Sequence, residues 1–302
     1  MLSLTAAGIL VGFLVGMSGV GGGALLTPLL VLVFGLPPTA AVSSDLLVAA
    51  CMKLTGSVVH QRRGDVHWQI VGWLSLGGVP ASLLGPVVIH YLGTAPVVQQ
   101  VLNILLGVIL LAVATVMVVA LSKWDPRGQW GPRQVPVRRG PTLLLGAVTG
   151  VLVGFTSVGS GSAVAACLLL AYPALRMSAI VATDIVQALP IVVTAAIGHL
   201  LIGDFHLSVA WPLLLGSVPA VVAGSLLAGR VPARFLRGVL AVLLAATGTT
   251  LLTRDPALIT SAAVVVAATA LISSRRRAGQ AAPDESTPSS AAASEGNGVT
   301  GG

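Results

Sequence analysis

Charge is scarce in this chain. Only 8% of its 302 residues are Asp, Glu, Lys or Arg, against about 25% in soluble domains, which excludes a soluble fold with a largely polar surface. Aromatic residues are also scarce, at 4%, and there are two cysteines, Cys51 and Cys167, both inside apolar runs. They read as small packing residues, and no disulfide or zinc framework follows from them. The N-terminus, MLSLTAAGIL, lacks the basic region and small-residue cleavage site of a removable signal peptide, so it is taken as the first membrane segment. No Walker loop, metalloprotease helix, Ser/His/Asp order or paired catalytic carboxylates appear, which argues against an enzyme. No cofactor and no metal site is expected.

What is present is hydrophobic. Apolar residues make up 55% of the chain and mean hydropathy is +0.98. Runs long enough to cross a hydrocarbon core of about 30 Å, which takes about 20 helical residues, fall near Leu4 to Phe34, Ala40 to Val59, Val66 to Leu92, Val97 to Leu121, Leu143 to Tyr172, Ala179 to Ile202, Leu207 to Ala228, Leu236 to Leu252 and Ala257 to Ile272. They are continuous and rich in Gly, Ala, Leu and Val, where barrel strands would alternate. The expected fold class is therefore an all-α polytopic membrane protein. The net charge of +7 sits in short loops, where it orients the chain in the bilayer and calls for no nucleic-acid partner.

The two halves repeat. GMSGVGGG begins at Gly16 and GFTSVGSG at Gly154; after a one-residue insertion Asp45, Thr55, His60, Gly64, Asp65 and His67 match Asp184, Thr194, His199, Gly203, Asp204 and His206, and Gly77, Pro80, Ala81 and Gly85 match Gly216, Pro219, Ala220 and Gly224. The organisation read from this is a first membrane repeat over 1–121, a basic cytoplasmic linker over 122–141, a second repeat over 142–252, an additional transmembrane helix over 253–273 and a disordered cytoplasmic tail over 274–302.

Charge counting decides how the repeats insert. If the long first segment of each half crosses once, eight basic residues fall on one side and seven on the other. If each instead dips in and returns at its glycine cluster, fourteen share one face and only Arg254 lies opposite, with Lys53 in the membrane. The positive-inside rule favours the second arrangement. Each half then holds a re-entrant hairpin and three full crossings, so the halves are inverted, with the N-terminus extracytoplasmic and the central loop and tail cytoplasmic.

Inverted repeats with broken helices place transporter sites near the midplane where the breaks meet. The candidate substrate-binding residues are accordingly Ser18, Gly19, Gly21, Gly22 and Gly23 at the first tip and Thr156, Ser157, Gly159, Ser160, Gly161 and Ser162 at the second, where glycine permits positive φ and clustered N–H groups attract anions. Gly12 and Gly150, in GxxxG spacing with Gly16 and Gly154, are assigned to helix packing. Lys53, within LLVAACMKLTGSVVH, is an expensive buried cation that either balances a bound anion, snorkels or pairs with Asp45; its repeat partner is Val192. Asp45 and Asp184, with Gln187, are candidates for coupling to a proton or cation, or else brace their helices. The H-x3-G-D-x-H pattern reads as a turn capped by Asp65 or Asp204 rather than a shared metal cluster, with a lesser role in proton transfer for His60 and His199.

These motifs, GMSGVGGG, GFTSVGSG, SSD and ATD in the following helices, and the H-x3-GDxH turns, resemble the TauE/SafE sulfite exporter family of membrane permeases from Leu4 to Leu252. The resemblance implies movement of sulfite, sulfonates or related small organic anions, driven by an ion gradient. One departure is that Ser157 and Ser160 stand where the first tip has Gly19 and Gly22. The rival readings are a cation-coupled permease for a neutral solute and a non-transporting membrane subunit or sensor. The expected partners are a small anionic substrate, the lipid bilayer and a coupling proton or cation, with oligomeric state open.

Overall fold

Glycine and proline cut an otherwise uniformly apolar chain into its helices. The computed structural model describes residues 1–18, 22–61, 66–93, 95–123, 135–159, 161–202, 206–227, 233–253 and 255–262, with 264, 266 and 268. The helices are α1 (Leu2–Ser18), α2 (Gly23–Leu32), α3 (Pro38–Gln61), α4 (Trp68–Ser82), α5 (Leu84–Leu92), α6 (Pro96–Lys123), α7 (Arg139–Thr156), α8 (Ser162–Ala171), α9 (Met177–Ile202), α10 (Leu207–Leu227) and α11 (Ala233–Leu252). No strand occurs among the described residues. Pro38 and Pro96 open α3 and α6, where a missing N–H is harmless. Gly93, at φ 71°, closes α5 in a conformation that side chains resist.

Five of these stretches are long and apolar enough to cross a membrane: Trp68–Leu92, Pro96–Val119, Arg139–Thr156, Ser178–Leu201 and Leu207–Leu227. The outer surface agrees, since large apolar side chains such as Leu10, Leu76, Val101, Leu201 and Leu226 are all more than half exposed, an arrangement that water would penalise and lipid favours. The breaks at the glycine clusters fall where expected, between α1 and α2 and between α7 and α8. One further break was not expected. Val66 to Leu92 reads as one segment but divides at Leu83, just after Pro80, into α4 and α5, whereas the equivalent α10 runs through Pro219 unbroken.

The packing exchanges the two halves. α1 lies along α10 and α4 along α7, while α3 crosses α9 and α6 crosses α11. Glycine makes the first two seams. A Cβ at Gly8, Gly12 or Gly16 of α1 would strike the α10 backbone at Leu213, Ser217 or Val221, and one at Gly146, Gly150 or Gly154 of α7 would strike α4 at Leu74, Gly78 or Ser82. The packing role expected for Gly12 and Gly150 is what the contacts show, and close backbone approach is what small residues permit in a bilayer.

Contact order along each pair fixes direction. In both seams the numbers rise together, so α1 is parallel to α10 and α7 to α4. α4 and α5 also run parallel to α9, from His67 against Thr183, through Gly78 against Ile191, to Pro86 against Gly198. α3 and α9 run oppositely, with Ser43 at His199 and Lys53 towards Asp184. α2 turns back along α3, bringing Gly22 to Met52 and Thr27 to Asp45.

Candidate functional site

The two glycine-rich tips meet inside the molecule. A Cβ on Gly23 would collide with the backbone carbonyl and hydroxyl of Ser157, so the start of α2 lies against the end of α7. Of the residues assigned to these tips, Gly19, Gly21 and Ser160 lie outside the described residues, and Ser162 is described in its backbone alone. At the first tip Gly22 has φ −59°, an ordinary helical value. At the second tip it is Ser157, a residue with a side chain, that takes the left-handed conformation, at φ 59°, followed by Gly159 at φ 105°. Such a φ costs a side-chain-bearing residue about 1 to 2 kcal/mol. It ends α7 abruptly and turns the chain through Gly161 into α8.

Two tip hydroxyls are engaged locally. Thr156 Oγ1 donates to Leu152 O at 2.7 Å and accepts from Val158 N at 3.3 Å. Ser18 Oγ donates to Leu14 O at 2.6 Å. They brace their own helix ends.

The polar groups of α3 and α9 converge beside the tips. Asp45 is completely buried and accepts a 2.5 Å hydrogen bond on Oδ2 from Thr27 Oγ1 of α2. Ser157 Oγ lies near this carboxylate, yet neither it nor Asp45 Oδ1 closes a hydrogen bond. Asp184 is 2% exposed and accepts from Gln187 Nε2 at 3.2 Å on Oδ1, leaving Gln187 Oε1 unpartnered. Lys53, 7% exposed, is drawn electrostatically to Asp184. Of the alternatives open for Lys53 in the sequence, snorkelling does not fit this burial, and the carboxylate whose charge acts on it is Asp184 of the other half. Cys167 also lies within the field of Asp184.

Well over nine-tenths of buried polar groups in proteins find partners. Asp45 Oδ1, Ser157 Oγ and Gln187 Oε1 are three that do not, and all belong to the region between the tips and the α3–α9 crossing. Such a cluster suits a solute that completes the hydrogen bonding on arrival. Sequence reasoning found Asp45, Asp184, Gln187, Lys53 and Ser157 but passed over Thr27. Its only signal was a lone hydroxyl in the apolar run LLTPLL.

Two histidines, His199 and His67, link helices. His199 is 1% exposed and ties three helices, with Nε2 donating to Gly154 O of α7 at 2.8 Å and Nδ1 3.1 Å from Ser43 Oγ of α3. His67 caps α4: Ile70 N donates to its Nδ1 at 3.4 Å, Nε2 lies 3.1 Å from Val135 O, and its own N–H donates to Thr183 Oγ1 at 3.0 Å. Asp65 and Asp204 lie outside the described residues, as does the side chain of His60. Among the described residues no group of three or more His, Cys, Asp or Glu could hold a metal ion.

Comparison with known proteins agrees with this architecture. The chain is 35% identical over 255 residues to the probable membrane transporter protein YjnA of Bacillus subtilis, an alignment covering 83% of this chain and 99% of that one. It is 34% identical over 104 residues to the probable membrane transporter protein YunE of the same organism, covering 34% and 38% of the two chains. To the probable membrane transporter protein MJ0441 of Methanocaldococcus jannaschii it is 28% identical over 186 residues, covering 59% and 65%. No solved structure matches. The family model described as "Sulfite exporter TauE/SafE" matches residues 4–251; with these membrane-transporter relatives and the buried polar centre between two broken helices, the chain belongs to the TauE/SafE family and is a multi-pass membrane permease rather than an enzyme.

Proposed function

We propose that this permease is a secondary transporter that carries a small anion, such as sulfite, a sulfonate or a related organic anion, through the polar centre between the two tips. The observation that carries this reading is the buried Lys53 ammonium standing at the α3–α9 crossing beside unfilled hydrogen-bonding groups. A lysine in the hydrocarbon zone costs about 2.5 to 3.5 kcal/mol on insertion scales, and an arriving anion would draw on that stored field. The starts of α2 and α8, which follow the tips, present N–H groups of the kind that bind anions.

The contact directions support an inverted arrangement. α3 and α9, equivalent in the repeat, run oppositely, and α7 and α9 of one half run the same way, so the intervening α8 returns to the side from which α7 came. That return supports a re-entrant hairpin. At 10 residues each, α2 and α8 reach about 15 Å at 1.5 Å per residue, half the hydrocarbon core. With that insertion, the positive-inside rule supports an extracytoplasmic N-terminus and a cytoplasmic central loop and tail.

The test is uptake of radiolabelled sulfite and of taurine-like sulfonates into proteoliposomes, with wild type beside Gly23→Val. The expected result is saturable anion flux in the wild type and its near-complete loss in the variant, whose added side chain would occupy the contact with Ser157. Absence of flux for every anion, in protein shown to be folded, would move the assignment to a membrane subunit or sensor.

A further inference from the structure

The two buried carboxylates, equivalent by repeat, have unlike surroundings. Asp184 has Lys53 and Gln187. Position 166, which the repeat aligns with Thr27, is Ala, and positions 48 and 53 of the first half align with Gln187 and Val192. Asp45 therefore meets two hydroxyls and, among the described residues, no cation: Thr27 donates to Oδ2 and Ser157 lies near the carboxylate, whose Oδ1 has no hydrogen-bond partner.

Among the described residues the neighbourhood offers no counter-charge to Asp45. On α3 the titratable groups besides Asp45 are Cys51, Lys53 and, at its far end, His60. α9 brings Asp184 and His199, and the latter is engaged with Ser43 and Gly154. α6 brings Lys123 at its last position, and α2 and α10 bring no titratable group. These are the helices packed against α3. A carboxylate in a water-free interior is tolerated only when its charge is answered, and here neither a side-chain cation nor a filled hydrogen bond at Oδ1 answers it. The 18-residue α7 also ends here, with the negative end of its dipole directed at the same spot.

We propose that Asp45 is the proton carrier of this permease, a role that rests on the transport reading above. Its Oδ1 takes a proton from the aqueous phase, converting carboxylate to carboxylic acid, and the new O–H donates to Ser157 Oγ. On the opposite face of the membrane the same O–H bond breaks and the proton leaves to water. Thr27 is a positioning residue, holding Oδ2 so that Oδ1 is the oxygen left to take the proton. Asp184, already neutralised by Lys53, does not share this task; it orients the lysine that meets the anion. Two free oxygens satisfy a proton, whereas a metal cation asks for several more, six to eight in the case of calcium.

The decisive measurement is infrared difference spectroscopy of the full-length protein in proteoliposomes, titrated with pH in the presence and absence of sodium. A protonated-carboxyl band that grows on acidification, persists in sodium and vanishes in Asp45→Asn is the expected result. Thr27→Val shifts the pH at which the band appears, and Thr27→Ser keeps it. In the same vesicles Asp45→Asn, shown to be folded by its thermal midpoint and size-exclusion profile, loses sulfite accumulation driven by a pH gradient. A band that survives Asp45→Asn, a band displaced by sodium, or pH-driven accumulation by the variant each overturns the proposal. If the band behaves as stated while the wild type moves no anion, the proton site stands and the anion reading fails.

Discussion

A Gly150→Leu variant is expected to lose about 3 kcal/mol or more of stability, seen as a fall of about 6 to 12 °C in thermal midpoint and a broad, aggregated peak in size-exclusion chromatography. Overpacking a core costs about 1 to 3 kcal/mol when side chains can shift, and more when they cannot; a drop of 3 kcal/mol in a protein of this size corresponds to the stated temperature range. Gly150 is the unfavourable case because the atoms in the way belong to the backbone of Gly78. α7 and α4 would have to separate along their whole seam, including Gly146 against Leu74 and Gly154 against Ser82. The control is Gly72→Leu. Gly72 is on α4 too, but faces outward with open space around it, so its thermal midpoint should stay within about 2 °C of wild type. A Gly150→Leu protein as stable as the control would refute the backbone-contact account of these seams.

Removing Lys53 is expected to act twice. Lys53→Ala leaves Asp184 buried without its cation, and breaking a buried ion pair by deleting one partner typically costs about 3 to 5 kcal/mol. Adding Asp184→Asn should recover most of that, because the orphaned charge disappears. Transport should not recover. A charge-assisted contact to the anion is worth about 1.5 to 3 kcal/mol, which at 1.4 kcal/mol per factor of ten predicts about a 10- to 100-fold fall in anion flux for both the single and the double variant. The double variant therefore separates structure from function: restored stability with full anion flux would show that Lys53 only balances Asp184, and would favour the neutral-solute reading.

Hydropathy and the repeat made much of this fold legible. The helices, the glycine breaks at the two tips and the packing role of Gly12 and Gly150 all follow from spacing and composition, because in a bilayer the backbone must bond within its own helix and close approach needs small residues. The break at Leu83 was not legible. Pro80 and Pro219 are equivalent in sequence, yet only the first lies near a helix break, so proline alone did not decide it. The site was legible as a set of residue types but not as a set of pairs. Lys53 has Asp45 two helical turns away on the same helix, and nothing in one dimension says that it meets Asp184 instead; that choice is made by the antiparallel crossing of α3 over α9. Thr27 was invisible for a related reason, since its importance lies wholly in what α2 turns back to meet. The cap that His67 forms on α4 was also not read from the sequence, although His67 stands directly before the first helical residue.

The glycine seams have a mechanical consequence. They fasten α1 of the first repeat to α10 of the second, and α7 of the second to α4 of the first, through close backbone approach at the glycines. The pieces able to tilt as rigid bodies are thus hybrids, α1, α3 and α10 in one and α4, α7 and α9 in the other. Neither coincides with a repeat. Relative motion of the two bodies is concentrated where α3 crosses α9, so any rocking that opens one face and closes the other shears across the line joining Lys53 to Asp184 and Ser43 to His199.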